Sequence, residues 1–235
     1  MASETAVIVT AFNEADRLPA TLQALGAAFP DARIVVADDG STDGSAEVAA
    51  ANGAEVVRSE RNVGKGGVAT LAAQRLLPLA EGPLPRPVIL LCDGDLAASA
   101  DALKLLVEEV RNDRADLAVA AFATRVGGGF GWALGFARWA IRRRCGYEAG
   151  APISGQRALR AELLPAVVPF ASRFGMEIGM TIDAVRAGFR VCEVELPLAH
   201  RATGKTLRGF LHRGRQLLDF VAVWWTRRTP RDRRR

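Results

Sequence analysis

Short apolar runs separated by stretches of helical period fill the first half of the chain. Residues 6–10, 33–38, 54–58, 87–92 and 117–121 read as strands, each too short for a helix and bounded by polar or glycine-containing turns. Between them, Leu18, Leu22 and Leu25, then residues 45–51 and 66–77, then Leu103, Leu106, Val107 and Val110 follow the spacing of a one-sided helix. A chain that alternates in this way folds as βαβ units, so the expected class is α/β, with a Rossmann-like, mostly parallel sheet flanked by helices. Regularity fails over 122–150, where Gly127-Gly-Gly129 predicts a flexible loop extending to Gly135 that closes over a site. It resumes with a helix over about 176–187, strands near 190–195 and 198–200, and a long C-terminal helix. That last helix carries an apolar stripe from Leu207 to Trp225, with Arg208, His212, Arg215 and Asp219 opposite.

With 49% hydrophobic and 24% charged residues in 235, the chain has a globular composition, which excludes disorder and coiled coil. Cys92, Cys145 and Cys192 lie far apart with no metal or redox spacing, so we expect core filler in a reducing compartment. The N-terminal residues do not have the pattern of a signal peptide, and the apolar stretch 126–141 is broken by glycines and Arg138, too short to span a bilayer. The net charge of +5 is unevenly placed: residues 201–235 hold 11 Lys and Arg against Asp219 and Asp232, which leaves 1–200 mildly acidic. Such a basic end seeks phosphates.

In a parallel α/β sheet, ligands bind beyond the carboxyl ends of the strands. Three of the strands end in polar groups: Thr10-Ala-Phe-Asn-Glu14, Asp38-Asp-Gly-Ser-Thr-Asp43 and Asp93-Gly-Asp95. Carboxylates gathered on one edge repel one another unless a cation or a hydrogen-bonding ligand lies among them. Asp93 and Asp95, separated by glycine, can turn towards one cation, and hard oxygen ligands select Mg²⁺ or Mn²⁺. The plain alternative is a tight Asp-Gly turn. Asn62-Val-Gly-Lys-Gly-Gly67 adds backbone N–H groups and a lysine at a helix start, which suits a diphosphate. It is not a P-loop, because Ser59 stands where that pattern begins with glycine.

Taken in order, Val7-Ile-Val-Thr-Ala-Phe-Asn-Glu14, Val36-Ala-Asp-Asp-Gly-Ser-Thr-Asp43, Asn62-Val-Gly-Lys65 and Asp93-Gly-Asp95 resemble the family 2 glycosyltransferases of the GT-A fold. The resemblance implies a UDP- or GDP-linked sugar donor held by Thr10, Phe12, Glu14, Asp39, Lys65 and Asp93. It also implies a metal on Asp93 and Asp95 that assists departure of the nucleoside diphosphate. Two features depart from the pattern: Thr10 stands where many relatives have proline, and Leu96-Ala97 where polyprenyl-phosphate transferases place glutamine or histidine. Ile153-Ser-Gly-Gln-Arg157 and Phe174-Gly-Met-Glu-Ile-Gly-Met-Thr-Ile-Asp183 are similar to elements of the polyprenyl-phosphate sugar transferases. The second is also similar to the glucosyl-3-phosphoglycerate synthases.

That likeness implies Glu177 as the catalytic acidic base that takes a hydroxyl acceptor's proton, or as an orienting group where the acceptor is a phosphate. It also implies Ser154, Arg201 and Lys205 on acceptor or donor phosphates, catalytic Asp95 on the metal, and His200 as a third metal ligand. For these residues the plain readings are a helix-terminal glutamate, solvated basic groups and a polar strand end. Asp183 reads as structural, and His212 is given no chemistry. The expected organisation is one domain over 1–226, with a nucleotide-binding half to about 121, an acceptor half beyond it, and a basic tail at 227–235. The expected acceptor is polyprenyl phosphate, with 3-phosphoglycerate second and a non-catalytic sugar-nucleotide-binding adaptor third. The Trp and Arg residues near the C-terminus point to an anionic membrane surface. The expected location is therefore cytoplasmic, peripheral on the inner face of the plasma membrane. No nucleic-acid module accompanies the charge.

Overall fold

The computed structural model describes residues 5–82, 86–122, 131–172, 175–196 and 221–227. Its elements run β1 (Thr5–Ala11), α1 (Leu18–Ala28), β2 (Arg33–Asp38), α2 (Ser45–Ala51), β3 (Glu55–Arg58), α3 (Lys65–Gln74), α4 (Pro78–Glu81) and β4 (Val88–Asp93). A 3₁₀ turn (Ala97–Leu103) follows, then α5 (Lys104–Arg111), β5 (Leu117–Phe122), α6 (Gly131–Cys145), β6 (Arg157–Arg160), α7 (Leu164–Val167), α8 (Met176–Arg186) and β7 (Val191–Leu196). Residues 221–226 are helical. The strands form one seven-stranded sheet in the order β3-β2-β1-β4-β6-β5-β7. The first four strands in that order run parallel, as β5 and β7 do with each other, while β6 is antiparallel to both its neighbours.

Alternation along β1 divides the core between the two faces of the sheet. Val7, Val9 and Ala11 point to the α1 and α5 side, with Leu18, Leu22, Leu103 and Leu106. Ala6 and Ile8 point to the α3 and α8 side, with Val68, Ala72, Leu76, Met176 and Met180. Both faces being covered explains why these strands read as unbroken apolar runs. A third, smaller cluster joins α6 and α8 to the C-terminal segment through Ala137, Ile141, Ile178, Ile182 and Val223.

The mostly parallel α/β fold agrees with expectation, and two regions differ from it. Residues 131–135, read as part of a loop, are the first turns of α6: the glycines there are spaced among helix-compatible residues whose apolar side packs on α8. The second difference is β6. Its four residues are too few to show a period, and its antiparallel pairing depends on β4 and β5 already lying on either side. The expected strand at 198–200, the loop at 127–130 and most of the long C-terminal helix lie outside the described residues. All three cysteines carry free thiols, with Cys92 fully buried as core filler.

Candidate active site

The polar strand ends meet on the carboxyl edge of the sheet because β1, β2 and β4 are adjacent and parallel, with Thr10 beside Asp93 and Ala11 beside Asp38 in register. The loops after β1 and β2 are stapled to one another. Asn13 N–H donates to Ser41 Oγ at 2.9 Å, Glu14 N–H to Ser45 Oγ at 2.9 Å, and Thr42 N–H to Asn13 Oδ1 at 2.9 Å. Asn13 sits at φ 56°, a left-handed position that asparagine tolerates. Phe12 beside it is 47% exposed, offering an open ring at this edge.

Asp38 and Asp39 have different duties. Asp38 is fully buried; its carboxylate accepts from Ser41 N–H and Ser41 Oγ and faces Arg58 Nε at 3.2 Å. Asp39 accepts from Val63 N–H at 2.7 Å and Gly64 N–H at 2.9 Å, so it ties down the turn that precedes Lys65. Gly64 takes φ 82° there, which a residue with a Cβ rarely adopts.

Lys65, first residue of α3, lies between two carboxylates: its Nζ is 2.7 Å from Asp93 Oδ1 and 3.0 Å from Glu177 Oε1. Close packing makes this possible. A Cβ on Gly66 would lie 1.9 Å from the Ala171 carbonyl oxygen, so only glycine lets the start of α3 approach the start of α8, where Glu177 sits 6% exposed. Burial disfavours the Lys65 charge, but Asp93 and Glu177 outweigh it and hold the ammonium above the usual lysine range. Burial also opposes the Asp93 charge. Lys65, together with hydrogen bonds from Thr10 Oγ1 at 3.1 Å and Gln156 Nε2 at 2.8 Å, outweighs it and keeps the carboxyl below its ordinary value.

The Asp93-Gly-Asp95 turn is clamped from α1. Gly94 N–H donates to the Thr10 carbonyl, and the buried Thr21 hydroxyl donates to Gly94 O at 2.8 Å while accepting Ala97 N–H at 2.8 Å. Among the described residues the partly buried Asp95 carboxylate makes no hydrogen bond and no ion pair. Two hard-oxygen carboxylates on one clamped turn, one of them unengaged, fit a divalent cation with waters completing its shell. The described residues hold no cluster of three acidic, histidine or cysteine ligands. His200, the expected third ligand, lies outside them, as do Arg201 and Lys205.

The turn before β6 closes over the Lys65–Asp93 pair. A Cβ on Gly155 would lie 2.2 Å from Lys65 Nζ, so glycine is needed for that approach. Ser154, 4% exposed, shares this turn, and its hydroxyl lies 3.4 Å from Gln156 Oε1. Arg157 props the turn from beneath, 1% exposed, donating from Nε to Ser154 O at 2.8 Å and from Nη1 to Thr181 Oγ1 at 2.9 Å. Burial pushes its guanidinium down to about 10, against the pull of Glu177 and Glu193.

Of the residues predicted from sequence, the described ones lie together: Thr10, Asp93, Lys65 and Glu177 touch, with Asp95 and Ser154 on the adjoining turns and Phe12, Glu14 and Asp39 along the same edge. Sequence reasoning missed Thr21, Gly155, Gln156 and Arg157 as parts of this group. Only the last three carried a signal, in the Ser-Gly-Gln-Arg segment itself. Asp183 proves structural, accepting from Arg227 Nε at 2.8 Å, so Arg227 belongs to the folded domain rather than to a free tail.

A family model described as Glycosyl transferase family 2 matches residues 6–166. An uncharacterised glycosyltransferase of Mycobacterium tuberculosis is 30% identical over 226 residues, covering 92% of this chain and 96% of that protein. An undecaprenyl-phosphate mannosyltransferase of Micrococcus luteus is 31% identical over 215 residues, 85% of each. Glucosyl-3-phosphoglycerate synthase of M. tuberculosis, solved with Mn²⁺, UDP-glucose and phosphoglyceric acid, superposes with a TM-score of 0.74 at 23% identity. That match covers 96% of this chain and 79% of the other, and shows the same fold.

Proposed function

The chain belongs to glycosyl transferase family 2 and is a glycosyltransferase, and from that premise we propose that it moves a sugar from a UDP- or GDP-linked donor to polyprenyl phosphate. The observation that carries this reading is the Lys65 ammonium seated between Asp93 and Glu177, one residue from the unengaged Asp95 turn. A nucleoside diphosphate leaving group needs positive charge where its negative charge develops. Asp93 and Asp95 would hold Mg²⁺ or Mn²⁺, which when bound supplies Lewis-acid stabilisation of the departing diphosphate. Lys65 adds a second, fixed positive charge beside it. Phe12 offers its exposed face to a base. Asp39 would accept from the base while holding the Val63–Gly64 turn. Thr10 orients Asp93.

The engagement of Glu177 supports an acceptor that is already ionised. Its oxygen holds Lys65 in place, and a phosphate nucleophile has no proton to surrender. Glu177 then acts by positioning Lys65, and Ser154 would donate to an acceptor phosphate. The name of the Micrococcus relative favours the polyprenyl acceptor; the complex of the mycobacterial synthase favours 3-phosphoglycerate as the second reading.

The test is release of UDP or GDP from a panel of nucleotide sugars with Mg²⁺ or Mn²⁺, with polyprenyl phosphate, 3-phosphoglycerate or neither. Acceptor-dependent release with the lipid, abolished in Asp95→Ala at unchanged melting temperature, is expected. Release only with 3-phosphoglycerate replaces the acceptor. Nucleotide binding without turnover on any donor returns the protein to the adaptor reading.

A further inference from the structure

We propose that α6 and the C-terminal helical segment form a docking surface for an anionic phospholipid bilayer. The surface is folded rather than a loose tail. On α6, Trp139 is 48% exposed, and the exposed Arg142 and Arg143 follow three and four residues later, on the same side of the helix. Trp224 packs on Trp139 with ring centroids 5.4 Å apart, and Trp225 beyond it is 57% exposed.

The segment is bolted down from the inside. Arg144 lies over the Trp224 ring at 4.2 Å and donates from Nε to its carbonyl at 3.0 Å, while Arg227 pairs with Asp183 on α8. Two exposed indoles are therefore held at fixed positions beside guanidinium groups. Water is a poor solvent for that surface, and a headgroup layer is a good one: indoles settle at the interface and arginines meet lipid phosphates.

Charge selects the occupant. Residues 131–145 contain no Asp or Glu, and Glu148 lies 3.6 Å from Arg142 at an exposed position. The chain continues directly from this segment into Arg228, Arg231, Arg233, Arg234 and Arg235. No described helix is long and apolar enough to cross a membrane, and exposed indoles beside arginines suit binding at the bilayer surface. The inference goes beyond the proposed reaction and is read without turnover, so either can fail alone.

The experiment is co-sedimentation of the full chain with phosphatidylcholine vesicles, with and without phosphatidylglycerol, at low and high salt. Bromolipid quenching of indole emission is read alongside. Wild type should bind only the anionic vesicles, weaken with salt, and be quenched. Trp139→Ser/Trp225→Ser and Arg142→Gln/Arg143→Gln should each lower the partition coefficient by about tenfold or more. Circular dichroism and melting temperature should match wild type in both variants and certify their fold. Removal of residues 228–235 should weaken binding while leaving the quenching. Unchanged partition of both double variants would overturn the surface. So would wild type that ignores vesicles but sediments as a dimer dispersed by the tryptophan variant, or that binds an RNA oligonucleotide instead.

Discussion

Replacing Lys65 with methionine keeps the aliphatic stem and removes the ammonium that Asp93 and Glu177 share at 2.7 and 3.0 Å. Removing one partner of a buried ion pair costs about 3–5 kcal/mol, because a charge is left buried and uncompensated. Here the Lys65 and Asp93 side chains keep 24% and 31% exposure, and Asp93 retains its bonds from Thr10 and Gln156, which places the loss at the lower end, about 3 kcal/mol. For a domain of this size that is a fall in Tm of about 6–12 °C. The pH dependence has a definite sign. Asp93 is depressed in the fold, so its contribution is present above its unfolded value of 3.8 and fades as pH falls below that. Lys65 is raised, so its contribution is complete below 10.5 and is lost only as pH climbs beyond that. The gap between wild type and Lys65→Met should therefore be widest between about pH 4 and 10 and narrow on both sides. Urea denaturation across that range measures it, and adding Glu177→Gln to Lys65→Met should recover part of the loss. A gap below about 1 kcal/mol at pH 7, or one that stays flat with pH, would refute the shared-cation geometry.

Thr21→Val removes the hydroxyl that spans Gly94 O and Ala97 N–H; stability should fall by about 2 kcal/mol, and Mn²⁺ affinity measured by calorimetry should weaken, with Thr21→Ser restoring both. Gly155→Ala sets a Cβ 2.2 Å from Lys65 Nζ and 2.9 Å from Asp93 Oδ2, so it should displace that pair and lower both the melting temperature and nucleoside diphosphate affinity. Gly66→Ala instead meets the Ala171 backbone, so it should lower stability itself, by about 1–3 kcal/mol in denaturant. Truncation after Thr226 removes the Asp183 partner and should lower the melting temperature in calorimetry below that of truncation after Arg227.

Much of the site was legible because its pieces are local. Thr10, Asp38, Asp39 and Asp93 each end or follow a strand, and parallel pairing of β1, β2 and β4 brings such ends to one edge whatever the loops do. Lys65 was legible as a helix start. Its partner was not, since the meeting of α3 with α8 depends on the bare backbone of Gly66 fitting against Ala171. The opposite error occurred at 131–135, where glycine density suggested a loop but packing of Ala137 and Ile141 on Ile178 and Ile182 holds a helix. Arg227 was counted with the tail because a run of arginines looks uniform until one of them finds a carboxylate.

Periodicity and turn chemistry act within a few residues, so the sequence alone determined the order of strands and helices, the edge on which ligands bind and the Asp93-Gly-Asp95 turn. Contacts that cross the chain obey packing instead. Gln156 reaches Asp93 from 63 positions away only because β6 inserts antiparallel between β4 and β5, and Thr21 reaches Gly94 from 73 away only because α1 packs beneath that turn. A four-residue strand and a single buried hydroxyl carry too little local free energy to announce themselves. Their place is set by the apolar area buried when the two faces of the sheet close, which is a property of the whole fold.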